Sequence, residues 1–173
     1  IKMILLNYSQ DPNHQKQFPE AIQLMKEIQL LKNDWGIQEA LHRVGLDHQH
    51  PEFLHSVQNY WRTHFFSNNA LLDDIPYPGA VDFVKKFHKK GAYIAYLTGR
   101  DTFRMGTGTV QSLKKWDFPL DETANLILKP FKEMDDAQFK TDWFLSLQTD
   151  KPFHDIWFFE NEPANIELVL KDA

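Results

Sequence analysis

Residues 92–101 read AYIAYLTGRD, an apolar run that ends in a hydroxyl, a glycine and two charged side chains. The run predicts a buried strand over Ala92–Leu97, with Gly91 before it and Gly99 after it. A hydroxyl followed by glycine at a strand end can present its O–H and the neighbouring N–H groups to an anion. A plain helix cap at Thr98 explains the same residues, so both interpretations stay open.

Helical and apolar segments alternate on both sides of this strand. The elements predicted around it are a helix over 80–90, a Gly-rich turn over 105–109, a helix over 109–116, a strand over 124–128, a helix over 136–147, a strand over 156–159 and a helix over 164–170. Residues 1–6, IKMILL, predict a further strand at the start. The alternation predicts an α/β fold, a Rossmann-like three-layer core with a mostly parallel sheet. Ligands bind at the carboxyl ends of such strands.

The stretch between residues 13 and 76 has a different pattern, because its apolar residues recur at helical spacing. Helices are predicted from Pro19, from Gly36 or Ile37 to Val44, and from Pro51 to about Phe66. The domain prediction is therefore a core of residues 1–12 and 77–173, with residues 13–76 inserted after the first strand as a small all-helical cap.

Charge and composition limit the partners. The 173 residues carry 19 basic and 24 acidic side chains, a net charge of −5, and no cysteine. We therefore expect no nucleic-acid or membrane partner, no disulfide framework and no thiolate chemistry. No signal peptide or membrane span is evident, and the expected location is the cytoplasm.

Charged side chains follow the later strands of the predicted sheet. Lys129 ends one strand, Lys140 lies near the start of the next helix, and Glu160 and Glu162 follow the last strand. Two carboxylates this close repel one another unless a cation lies between them. A solvated lysine, and an acidic helix start favoured by the helix dipole, explain these residues equally simply.

The order of these segments resembles the haloacid dehalogenase (HAD) superfamily, in particular its phosphatase-like members. The resemblance covers roughly residues 77–170 and rests on LTGRD at 97–101, the stretch 104–121, LKP at 128–130 with FK at 139–140, and FFENEPANI at 158–166. An unrelated α/β nucleotide-binding domain is less consistent, since no Gly-rich loop follows the first strand.

The resemblance implies Mg²⁺-dependent hydrolysis of a small phosphorylated molecule through an aspartyl-phosphate. Thr98, with Gly99, would contact the transferring phosphoryl group, and Arg100 would contact substrate or form a salt bridge. Lys140, or as second choice Lys129, would offset the phosphate charge. Glu160, with Glu162 beside it, would ligate Mg²⁺.

The superfamily's Asp-x-Asp motif is missing from its expected position. Asn7 stands at the nucleophile position and Ser9 at the acid–base position. An amide cannot form an acyl phosphate, so two interpretations follow. In the preferred one, a segment carrying the motif belongs between Leu6 and Asn7 and is absent from the sequence. In the alternative, the chain is a catalytically inactive HAD-fold protein that binds a phosphorylated ligand or a partner.

Overall fold

The computed structural model describes residues 2–31, 34, 36–46, 50–150 and 153–172, and the chain divides into two compact units, Ile1–Ala70 and Leu71–Ala173. The described part of the first unit is helical, and the second combines helices with a parallel sheet. Mixed α/β content is therefore confirmed. No described helix combines the length and the apolar character that crossing a membrane requires.

The first unit is built around a helical core. Its helices are α1 (Lys2–Gln10), α2 (Pro12–Gln17), α3 (Pro19–Met25), α4 (Gln38–Arg43) and α5 (Pro51–Phe65). Prolines begin α2, α3 and α5, where the missing N–H costs no hydrogen bond. Tyr8, Leu41, Phe53 and Val57 are fully buried and form the centre of the core.

The strand predicted over residues 1–6 is wrong, because residues 2–10 form helix α1 (Ile1 lies outside the described residues). A short apolar run is compatible with a strand or a helix, and its tertiary contacts decide between them. Here Leu5 and Tyr8, three residues apart, enter the core on one helix face. The Tyr8 hydroxyl also donates to Ser56 Oγ at 2.8 Å. Residues 1–12 were expected in the α/β core, but the structure groups them with the helical unit. The boundary between the units follows Ala70 rather than residue 76.

The second unit contains the sheet. A 3₁₀ helix, Ala70–Asp73, spans the boundary and is followed by α6 (Ala80–Lys89), β1 (Ile94–Asp101), α7 (Thr102–Lys115), β2 (Ala124–Lys129), α8 (Asp136–Asp150) and α9 (Pro163–Asp172). Strands β1 and β2 pair in parallel from Ile94–Ala124 to Thr98–Leu128. Helix α6 ends, as predicted, before Gly91, whose φ of +87° favours glycine. Helix α7 connects the strands and packs on both, while α8 packs on β1 and on α9.

The Gly-rich turn predicted over residues 105–109 is wrong, because this stretch lies inside helix α7. The helix begins earlier, where the Asp101 carboxylate accepts the Arg104 N–H at 2.9 Å and so caps it. Gly106 is buried, and a Cβ there would lie 3.4 Å from Leu128 Cδ1. Gly106 therefore lies on the face of α7 that packs against β2, where a Cβ would make an ordinary contact.

The strand predicted over residues 156–159 is also absent, since no ladder pairing is present there. Ring contacts hold the segment instead. Phe158 meets Phe144 edge-on at 4.9 Å, and Phe159 meets Phe83 at 5.4 Å between ring centroids. The remaining aromatic surface of Trp157 and Phe159 is exposed. Apolar character alone predicted a strand at a position where the described sheet supplies no partner.

Candidate functional site

The carboxyl end of β1 contains an irregularity. After the pair Thr98–Leu128 the next pair is Asp101–Lys129, so Gly99 and Arg100 have no partner on β2. Such a bulge changes the direction of the chain and re-aims its side chains. Thr98 Oγ1 accepts the Arg100 N–H at 3.3 Å, and none of the described residues accepts the hydrogen of this hydroxyl. Thr98 is half-buried at this end of β1, and its hydroxyl oxygen is used there as an acceptor.

Lys129, at the end of β2, is a buried cation with an exposed fraction of 6%. Its Nζ lies 2.5 Å from Asp136 Oδ1, and it donates to the carbonyl oxygen of Met134 at 2.8 Å and, more weakly, to that of Lys132 at 3.5 Å. A buried ammonium is tolerated when it is paired in this way. The interpretation of Lys129 as a solvated surface lysine is therefore wrong.

Asp136 connects Lys129 to the end of β1. A Cβ on Gly99 would lie 2.1 Å from Asp136 Oδ2 and 2.6 Å from its Cγ, far inside contact distance. The neighbouring Asp135 caps α8 by accepting the Gln138 N–H at 2.9 Å, which leaves Asp136 free to face the strand. Sequence reasoning missed Asp136. The available signal was the presence of two successive aspartates where one suffices as a cap.

Lys140 and Glu160 form a second buried ion pair, with side-chain exposed fractions of 9% and 7%. Lys140 Nζ donates to Glu160 Oε2, which also accepts from Asn165 Nδ2 at 3.0 Å. Glu160 Oε1 accepts the N–H groups of Asn161 at 2.8 Å and of Glu162 at 3.1 Å. Burial raises the pKa of Glu160, but these hydrogen bonds outweigh it and hold the pKa below its ordinary value.

Helix α8 carries one member of each ion pair. Asp136 and Lys140 are four residues apart, which places them one above the other on the same face of the helix. The structure thus brings Lys129 and Gly99 together through Asp136, and Glu160 together with Lys140. Both candidate lysines are buried and paired, rather than one serving the site and the other facing solvent.

The remaining predicted site residues have clear positions. Arg100 forms a salt bridge with Asp74 at 2.7 Å, as one of its two interpretations required. Glu162 is exposed, and its Oε2 accepts from Asn165 Nδ2 at 3.3 Å. Asn7 is exposed on α1, and Ser9 on the same helix donates to the Leu6 carbonyl at 2.8 Å. The expected nucleophile and acid–base positions are therefore helical and lie in the first unit.

Asp101 is a further buried carboxylate, with an exposed fraction of 1%. Besides capping α7, its Oδ2 accepts from Arg104 Nε at 2.7 Å. Burial raises its pKa, but the hydrogen bonds from Arg104 prevail and keep the pKa below the ordinary value. Through these bonds with Arg104, Asp101 fixes the junction between β1 and α7.

The described side chains, as placed, do not form a Mg²⁺ site. Within the described stretches, no group of three or more His, Asp or Glu side chains is positioned to hold a metal ion. Both oxygens of Glu160 already accept hydrogen bonds, one of them from the Lys140 ammonium. A Mg²⁺ ion on Glu160 would have to displace that ammonium.

Comparison with known proteins identified no relative. No protein-family model matches the sequence, and neither a curated protein nor a solved structure is significantly similar to it.

Proposed function

We propose that the chain is a phosphoester hydrolase of the HAD type, which acts on a small phosphorylated molecule at the carboxyl ends of β1 and β2. The proposed core is Rossmann-like and three-layered. The parallel pairing of β1 and β2 and the helical crossover between them support this architecture. The Asp that would form the proposed aspartyl-phosphate is absent from the sequence as given, because Asn7 and Ser9 stand at the expected Asp-x-Asp positions.

The observation that carries the proposal is the pair of buried lysines, Lys129 at the end of β2 and Lys140 on helix α8, which follows that strand. Burying an ammonium is costly, and its ion pair typically gains little net stability over apolar packing. Thr98 and Lys129 lie at the carboxyl ends of two neighbouring strands, and Lys140 lies on the helix that follows β2. A hydroxyl and two ammonium groups in this part of the fold favour recognition of a phosphate group.

Each side chain has a defined role in this proposal. The Thr98 O–H donates to a phosphoryl oxygen, and the cationic side chains offset the charge on the phosphate. Glu160 forms an ion pair with Lys140, and Asn165, which is 2% exposed, holds Glu160 in place. Arg100 stays fixed by Asp74 at the rim of the strand end.

Hydrolysis of p-nitrophenyl phosphate by the whole chain, with and without added Mg²⁺, tests the proposal. We expect phosphate release that falls about a hundredfold in Thr98→Ala, the loss typical of one transition-state hydrogen-bond donor. Lys140→Met should have at least as large an effect. Lys132→Met is the matched control, because the Lys132 side chain is 58% exposed and is paired with Glu133 at 3.6 Å. Equal activity in Lys140→Met and in the parent would refute the proposal.

A second candidate is a non-catalytic phosphate-binding protein on the same fold. Asn7 and Ser9 favour it, because an amide and a hydroxyl on helix α1 cannot replace two catalytic carboxylates. Calorimetric titration with inorganic phosphate separates the candidates. Binding without turnover at any Mg²⁺ concentration supports the second, and turnover supports the first. Absence of both binding and turnover excludes both.

A further inference from the structure

The ammonium of Lys129 has no hydrogen left for a ligand. One is directed to Asp136 Oδ1 at 2.5 Å, and two are directed to main-chain carbonyl oxygens, of Met134 at 2.8 Å and of Lys132 at 3.5 Å. The Lys129 side chain is 7% exposed, whereas that of Asp136 is 43% exposed. The carboxylate of Asp136 therefore covers the buried cation on its accessible side.

The other oxygen of Asp136 lies against the end of β1. The space that a Cβ on residue 99 would take is filled by Asp136 Oδ2. In the proposed function, a phosphoryl oxygen that contacts the Gly99 turn would need the same space. A carboxylate and a phosphate at the same place repel each other. An incoming anion reaches Lys129 and the Gly99 backbone only by displacing Asp136.

We propose that Asp136 is the specificity-determining residue of the phosphate site, an inference that rests on the proposed function. Its carboxylate competes with an incoming anion for the ammonium of Lys129. A free monocarboxylate that displaces Asp136 replaces one single negative charge beside Lys129 with another, so the Coulomb energy does not improve. A phosphate dianion brings a second charge to the lysine and does gain Coulomb energy. Asp136 would thus exclude monocarboxylates and admit phosphate. Proteins commonly gain specificity through interactions that disfavour the wrong ligand.

Asp136→Asn tests the competition, because the amide keeps the size of the side chain and removes its charge. The matched control is Asp135→Asn, which makes the same change of charge one residue away, where asparagine still caps the helix. In calorimetric titrations with inorganic phosphate at pH 8 and low salt, we expect binding to tighten about tenfold in Asp136→Asn. The Asp135→Asn control should change it less than threefold. Unchanged or weaker binding in Asp136→Asn overturns the inference.

A second measurement uses the unmodified chain and does not depend on how the variants fold. Carbon-13 NMR of the aspartate Cγ atoms, with phosphate or acetate as titrant, follows Asp136 directly. We expect the Asp136 signal to shift with phosphate along a saturating curve, and to stay in place with acetate at the same concentration. An equal shift with acetate, or no shift during saturable phosphate binding, overturns the inference.

The outcomes separate the inference from the function on which it rests. Phosphate binding by the parent chain without tightening in Asp136→Asn removes the inference and leaves the proposed function. Absence of both turnover and phosphate binding, in the parent and in Asp136→Asn alike, removes both.

Discussion

The carboxylate of Asp136 lies directly on the backbone of Gly99, so close that a Cβ at residue 99 would be 2.1 Å from Oδ2. Glycine is required here by the approach of another side chain rather than by backbone conformation. This contact joins the end of β1 to the start of α8 and, through Lys129, to the end of β2.

Gly99→Ala should destabilise the α/β unit by about 1–3 kcal/mol, the usual cost of overpacking. The added methyl group must push Asp136 away from Lys129, which leaves a buried ammonium without its carboxylate. Urea unfolding measures the change. Adding Asp136→Ala should recover part of the loss from overpacking, because the obstructing group is then gone. A double variant whose losses simply add would contradict the contact.

Gly106→Ala should raise the free energy of unfolding, whereas Gly99→Ala should lower it, so the two variants can be compared directly. Residue 106 lies inside helix α7, where alanine is more favourable than glycine by up to about 1 kcal/mol. Its new Cβ would lie 3.4 Å from Leu128 Cδ1, an ordinary contact. The same urea experiment should show a gain in free energy of unfolding. A loss would indicate that residues 105–109 form the loop predicted from their glycines.

Lys140→Met should cost about 3–5 kcal/mol, because it leaves the buried carboxylate of Glu160 without its cation. The double variant Lys140→Met with Glu160→Gln should be more stable than Lys140→Met alone, since no unpaired charge remains. The difference between the single and double variants in urea unfolding gives the coupling energy. A coupling energy near zero would show that the two side chains do not interact.

Stability should fall with acid in a manner that depends on Glu160. Its pKa in the folded chain lies below the ordinary value of 4.5, so the unfolded chain takes up the proton first as pH drops. The contribution of Glu160 is therefore complete above the ordinary value and is lost as pH falls through the folded pKa. Urea unfolding at several pH values between 7 and 3 should show a shallower acid loss for Glu160→Gln. Glu167→Gln, an exposed change on α9, is the control. If Glu160→Gln and the parent lost the same free energy of unfolding as pH falls, the prediction would be contradicted.

Local signals predicted much of the second unit correctly. The helix ended by Gly91, the two parallel strands and the helix beginning at Asp136 all follow from apolar spacing and glycine. The same signals were wrong for residues 105–109, because a glycine that packs against Leu128 cannot be distinguished in sequence from a glycine in a turn. Residues 1–6 were assigned to a strand because their apolar run is too short to show a period.

The alternation of elements indicated Lys129 at a strand end and Lys140 in the first turns of a helix, as the structure has them. Glu160 was expected after a strand, but no strand precedes it in the structure. Asp136 was not predicted, because an acidic residue in the first turn of a helix is ordinary and needs no partner elsewhere. Contact across a sheet end is set by tertiary packing, on which a single sequence carries no direct information.

The two unpaired residues at the end of β1 also bear on how this strand can vary in length. Side chains alternate between the faces of a strand, so one extra residue would reverse the faces of everything beyond it. Two extra residues, Gly99 and Arg100, restore the alternation and let Asp101 face Lys129 in register. Insertion or deletion of a single residue at this turn should therefore turn the Asp101 cap away from the helix that it begins.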